Sequence, residues 1–94
     1  MHDLDKPEDV ATVRALLAEV DAVELAAKAN AISGGSQTPD GAVKVAEMTV
    51  MAALRSPGSR ILVAGFCAFA NGGKVTLYFA EEIAAQEIQT GEAL

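Results

Sequence analysis

From Asp5 onward the apolar positions fall at helical spacing. Val10, Val13, Leu17 and Val20 follow at intervals of three and four, and Leu16, Val23 and Ala27 widen the stripe. Arg14, Asp21 and Lys28 mark the wet side, with Glu24 and Lys28 placed as an i,i+4 ion pair. Asp5 stands as an N-cap with Glu8 three residues on, and Pro7 sits where a first turn tolerates it. This pattern predicts one helix of more than about six turns at about 3.6 residues per turn. Gly34-Gly35 stops it, since glycine takes the left-handed C-cap conformation readily.

A loop "SGGSQTPDG" follows, in which Thr38 is the N-cap of a second helix and Pro39 its first residue. That helix, "PDGAVKVAEMTVMAALR", spreads Val43, Val45, Met48, Val50, Met51 and Leu54 around more than one face, which predicts cover on two sides. Pro57 ends it. Residues 43–51 keep an alternative as strand, because their valines alternate briefly.

Between Arg60 and Ala80 the period changes to two. The stretch reads as an antiparallel β-hairpin turning at Asn71-Gly72, a pair suited to the positive φ of a tight turn. Ala68 then faces Val75, Phe66 faces Leu77 and Ala64 faces Phe79 on an apolar side; a turn at Gly72-Gly73 keeps the same faces. On the other side Cys67 faces Thr76, and Tyr78 lies over the bare backbone of Gly65. The stretch "EEIAAQEIQTGEAL" after Ala80 reads as a short C-terminal helix with Glu81 and Glu82 at its positive end and Gly91 as its stop, although Ile83 and Ile88 do not share one stripe. The expected class is α+β in the order α-α-β-β-α, two helices followed by a hairpin and a short helix, in a single small domain over residues 1–94.

The first strand of that hairpin raises a question of assembly. Ile61 and Val63 on one side, with Leu62, Ala64 and Phe66 on the other, describe a strand covered on both faces. Two strands alone are marginal in water. A two-fold dimer joining hairpins across subunits meets both needs, and helices folding over both faces within one chain are the alternative.

Composition strengthens the case for added burial. The 94 residues are 51% hydrophobic, but 19 are alanine and the aromatics are three Phe and one Tyr, so the core is thin. No apolar run approaches the roughly 18 residues of a membrane span, and the acidic start "MHDLDKPEDV" is unlike a signal peptide. The single cysteine, Cys67, asks for no oxidising compartment, and a cytoplasmic location is expected.

The net charge of −6 is segregated. Residues 1–24 carry seven acids and two bases, residues 25–80 two acids and five bases, and residues 81–94 four acids and no base. Direct nucleic-acid binding is disfavoured, since phosphate contacts need a basic face. Solvation of exposed helices accounts for the acids, and an acidic display toward a basic partner is the functional reading.

Candidate chemistry is sparse. His2, Asp3 and Asp5 lie together at a terminus with no further histidine, too little for a metal site. Cys67, between Phe66 and Ala68, reads as a small buried hydrophobe rather than a thiolate. Gly34-Gly35 and Gly72-Gly73 are turn glycines; neither belongs to a phosphate-loop motif, and Lys74 leads into a strand rather than a helix. The acids Glu19, Asp21 and Glu24, and the pair Glu81-Glu82, sit on expected wet faces. Met48 and Met51 beside Val50 and Leu54 form the best candidate interaction stripe, with ordinary core usage as the alternative.

No cofactor and no catalytic residue is expected. The reading that follows is a non-enzymatic protein-interaction module, an inhibitor, adaptor or assembly factor of bacterial or phage origin, working as a homodimer on a protein partner. Glu81, Glu82, Glu87, Met48, Met51, Ile61 and Val63 are its candidate contact residues. One alternative is a structural subunit of a larger homomeric assembly such as a virion or shell. The other is a small enzyme with a site shared between subunits, whose signature would be a cleft gathering Tyr78, Lys74, Arg60 and a carboxylate.

Overall fold

The computed structural model describes residues 6–80 and 85–92. Its element order is α1 (Pro7–Leu17), α2 (Ala22–Ser33), α3 (Pro39–Arg55), β1 (Arg60–Val63), β2 (Phe66–Asn71), β3 (Lys74–Ala80) and β4 (Ala85–Glu92). The class is α+β, as expected. The order is not, because three helices come first and the strands come last.

The long first helix is two helices. Its apolar stripe is borne out in part: Val13, Leu16 and Leu17 of α1 are buried in one core with Leu25, Ala26 and Ala29 of α2, whereas Val23 and Ala27 are exposed. The break comes from Asp21, whose Oδ1 accepts the backbone N–H of Val23 at 3.0 Å and of Glu24 at 3.2 Å. A side chain that caps its own downstream amides starts a new helix there. The expected cap Asp5 lies outside the described residues; α1 follows Lys6, which makes no side-chain cap bond.

Both glycine and proline punctuation marks act as expected. Gly34 takes φ +73° and donates its N–H to the Asn30 carbonyl at 2.8 Å. Thr38 Oγ1 accepts the Gly41 N–H at 3.1 Å, with Pro39 opening α3. Between them Asn30 clamps the loop, its Nδ2 donating to the Gln37 carbonyl and its Oδ1 accepting the Gln37 N–H. Residues 43–51 are helix throughout, which removes the strand alternative. The expected two-sided cover of α3 is present, with α1 and α2 against it and the sheet beneath.

The apolar run from Arg60 to Phe69 is not one strand. It folds back at Ala64-Gly65, where φ is +47° and +91°, so that Val63 pairs with Phe66 and Ile61 with Ala68. Two successive positive φ values match the right-handed twist of the flanking strands. The next turn uses Gly72-Gly73 rather than Asn71-Gly72, and Asn71 pairs with Lys74. Phe66, Ala68, Ala70, Val75, Leu77 and Phe79 then all point into the core, as the expected face assignment requires.

Two details of the hairpin are corrected. Tyr78 lies opposite Cys67, not Gly65, because the observed register is shifted by two residues. The extra turn also exchanges the faces of Ile61 and Leu62: Ile61 packs against the core, and Leu62, opposite Cys67, lies on the other side.

The expected C-terminal helix is replaced by β4, which pairs antiparallel with β3 around a bulge at Leu77/Tyr78. Without it β3 would leave a row of backbone amides and carbonyls unpaired. The result is a four-stranded sheet in the order β1-β2-β3-β4. The strand expected to need neighbours from another subunit gains them from its own chain, and its first four residues form an edge. Among the described residues no helix is long and apolar enough to cross a membrane.

Candidate functional site: the open face of the sheet

The helices and one face of the sheet share a single core. Among residues 6–80, the side chains of the opposite face, Arg60, Leu62, Cys67, Phe69, Lys74, Thr76 and Tyr78, do not belong to that core cluster. Reading the register across this open face, Arg60 of β1 lies opposite Phe69 of β2, which lies opposite Thr76 of β3. In the next row Leu62 lies opposite Cys67, and Cys67 opposite Tyr78. Lys74 falls on the same side by the alternation of β3.

Cys67 is the small residue in this arrangement. It is only 4% exposed although it lies outside the main core cluster. Among residues 6–80, Arg60, Phe69 and Tyr78 line with it a concavity of about 330 Å³. Burial pushes the Cys67 thiol above its ordinary pKa, and the nearby Arg60 guanidinium pulls partly against that shift. The net upward direction keeps the sulfur protonated at neutral pH, where it is a weak donor and a poor nucleophile.

Arg60 is exposed and forms no ion pair within residues 6–80. Elsewhere the expected pair does form: Lys28 Nζ lies 2.9 Å from Glu24 Oε1, and also 5.5 Å from the Phe79 ring centroid. No group of three or more His, Cys, Asp or Glu among the described residues is arranged to hold a metal ion. His2, Asp3 and Asp5 lie outside the described residues.

Four of the candidate contact residues, Met48, Met51, Ile61 and Val63, have described side chains. Met48 is 63% exposed on α3, whereas Met51 is fully enclosed in the core. Ile61 is half-buried against the core, and Val63, beside the β1–β2 turn, is exposed. Glu87 lies in β4 opposite Tyr78 in the backbone register. Glu81 and Glu82 lie outside the described residues.

Of the cleft expected for a small enzyme, Tyr78 and Arg60 do come together. Lys74 does not line it, and Cys67 and Phe69 take the remaining places. Leu62, 64% exposed beside this cleft, and Phe69 were not among the expected contact residues. The signal for Phe69 was present in its alternation with Phe66 and Ala68. The signal for Leu62 was hidden, since its face depends on the turn at Ala64-Gly65. Comparison with protein-family models, with curated proteins and with solved structures finds no match to this chain.

Proposed function

We propose that the chain is a non-enzymatic interaction module that acts by laying the open face of its sheet, with the β1 edge, on the surface of a protein partner. The observation that carries this reading is the exposure of Leu62 on the same sheet face as the half-buried rings of Phe69 and Tyr78. Contiguous apolar surface rimmed by charge, here Arg60 and Lys74, is typical of a docking surface. Occupancy rather than turnover is supported by the chemistry of the cleft, whose thiol is held protonated and whose cation is a guanidinium that does not exchange its proton near neutrality.

Self-association as a homodimer belongs to the same reading. In the β1–β2 ladder the tight turn makes Val63↔Phe66 and Ile61↔Ala68 the hydrogen-bonded pairs, so the backbone groups of Arg60 and Leu62 face the open edge. A second β1, antiparallel about Ile61, would place Arg60 of each copy opposite Leu62 of the other. The acidic segments at the two ends of the chain, including Glu81, Glu82 and Glu87, would steer a basic partner toward the molecule.

A second reading, a subunit of a larger homomeric assembly, is favoured by one observation: β1 and β4 are both sheet edges among the described strands. Pairing β1 of one copy with β4 of the next is heterologous and does not close by two-fold symmetry. Sedimentation across a concentration series separates the readings, because a closed dimer reaches a fixed mass and an open chain keeps growing. The partner itself is tested by crosslinking capture with the native chain and with Leu62→Glu. Loss of the captured species with Leu62→Glu supports the docking face, and capture unaffected by the substitution overturns it. Capture that does not weaken between low and physiological salt removes the electrostatic component.

A further inference from the structure

The concavity over Cys67 has a composition that a flat docking surface does not require. On an antiparallel sheet, cross-strand and i,i+2 neighbours of one face form a four-cornered patch. Here the lining steps across two such patches: Arg60 of β1 lies opposite Phe69 of β2, Cys67 is two residues from Phe69, and Tyr78 of β3 lies opposite Cys67, the shortest of the four. The difference in length makes the depression. Cys67 is nearly fully buried, and Arg60, Phe69 and Tyr78 line the concavity with it.

These three lining residues differ in chemistry. Two are aromatic rings, which bury flat apolar groups well. The third is a guanidinium that is close enough to act on the Cys67 thiol and makes no ion pair within residues 6–80. A guanidinium at the rim of a partly desolvated apolar cleft favours a carboxylate, which it can hold with two parallel hydrogen bonds. A neutral ring would cover part of that cation without pairing it. The volume of about 330 Å³ lies at the lower end of small-molecule sites, about 300–1,000 Å³.

Two other occupants fit less well. Paired aromatics on adjacent strands of an open sheet also suit stacked bases, but within residues 6–80 the cations of this face are Arg60 and Lys74, and the backbone register sets Glu87 opposite Tyr78 and Glu92 opposite Lys74 on a chain of net charge −6. A metal ion would find one protonated thiol and no carboxylate or imidazole in the lining contributed by residues 6–80. We propose that this cleft is a small-molecule site for an aromatic carboxylate, with Arg60 taking the carboxylate and Phe69 and Tyr78 flanking the ring. The proposal goes beyond the docking reading and does not depend on it.

The test is titration of the ¹⁵N-labelled chain with 2-naphthoate and with its neutral counterpart 2-naphthamide. The expected result is saturable shifts of the amides of Arg60, Leu62, Cys67, Phe69 and Tyr78, with the carboxylate bound about tenfold more tightly than the amide, as a charge-assisted pair implies. Arg60→Gln should bring 2-naphthoate down to the level of the amide, and Phe69→Ala should weaken both. Arg60 is an exposed edge residue, and an unchanged spectrum away from β1 verifies the fold of its variant. Equal binding of the two probes, no saturation at millimolar concentration, or shifts centred on Met48 and the helical side overturns the proposal. So does an oligothymidylate that binds this face more tightly than 2-naphthoate. None of these outcomes depends on oligomeric state or on capture through Leu62, so failure here and failure of the docking reading are separable.

Discussion

A Cβ built on Gly65 would lie 2.6 Å from the carbonyl oxygen of Ala29. The β1–β2 turn therefore sits directly on the backbone of α2, and the close approach is possible because both residues lack bulk. The same contact helps to hold Ala64 at φ +47°, together with Gln37, whose Nε2 donates to the Ala64 carbonyl at 3.3 Å.

Gly65→Ala should therefore be the costliest small substitution in the sheet, at about 2–4 kcal/mol from left-handed strain and backbone clash combined. Gly72→Ala is the matched control. Its φ is +58° but nothing lies within 4 Å of its added Cβ, so only the conformational term of about 1–2 kcal/mol remains. Chemical denaturation of the two variants measures the difference, and equal midpoints would show that the turn does not press on α2.

Asp21→Ala should lower stability by about 1 kcal/mol through loss of the cap on Val23 and Glu24. If the segment were one uninterrupted helix, alanine would be the better helix former and the same substitution would stabilise. The sign of the change in melting temperature decides between the two.

The contrast at Asp21 shows what could be read from the chain. Thr38-Pro39 and Gly34 were legible because a cap is a local chemical event involving neighbouring residues. The alternation of Phe66, Ala68, Val75, Leu77 and Phe79 was legible because burial on one face leaves a period of two. Asp21 with Glu24 three residues later was also a start signal, but apolar residues at helical spacing continue past it, since α1 and α2 share one core. The Ala64-Gly65 turn lay inside an apolar run with no Asn or Pro to mark it, and it rests on contacts with Ala29 and Gln37 that are distant in sequence. Strand β4 carries Ala, Gln and Glu, residues that favour helices in isolation, and pairing with β3 overrides that preference. The cleft depended on all of these, because one added turn decides which side of the sheet Leu62 occupies and which residues stand beside Cys67.

Ile61 and Leu62 are adjacent but should respond oppositely to a charge. Ile61→Glu places a carboxylate against the core and should destabilise by about 2–3 kcal/mol or leave the chain insoluble. Leu62→Lys replaces an exposed residue and should change stability by no more than about 0.5 kcal/mol. Sedimentation of the folded Leu62→Lys chain should show less self-association than the native chain. An unchanged mass distribution would place any self-association elsewhere than at the β1 edge.

The raised pKa of Cys67 gives stability a pH dependence with a definite sign. Its folded-state value lies above the unfolded one, so above the ordinary thiol range the unfolded chain gives up its proton while the native chain still holds it. This contribution to stability is fully present below the unfolded thiol pKa and is lost as pH rises through the folded value. Unfolding free energy should therefore decline on the alkaline side of neutrality, and Cys67→Ala should remove that part of the decline. Since Arg60 opposes the shift, Arg60→Gln should move the folded thiol pKa further up and slow alkylation of Cys67 by iodoacetamide at a given alkaline pH. Faster alkylation in Arg60→Gln would mean that the side chain shields the sulfur more than it polarises it, and would identify Arg60 as part of the cover over the cleft floor.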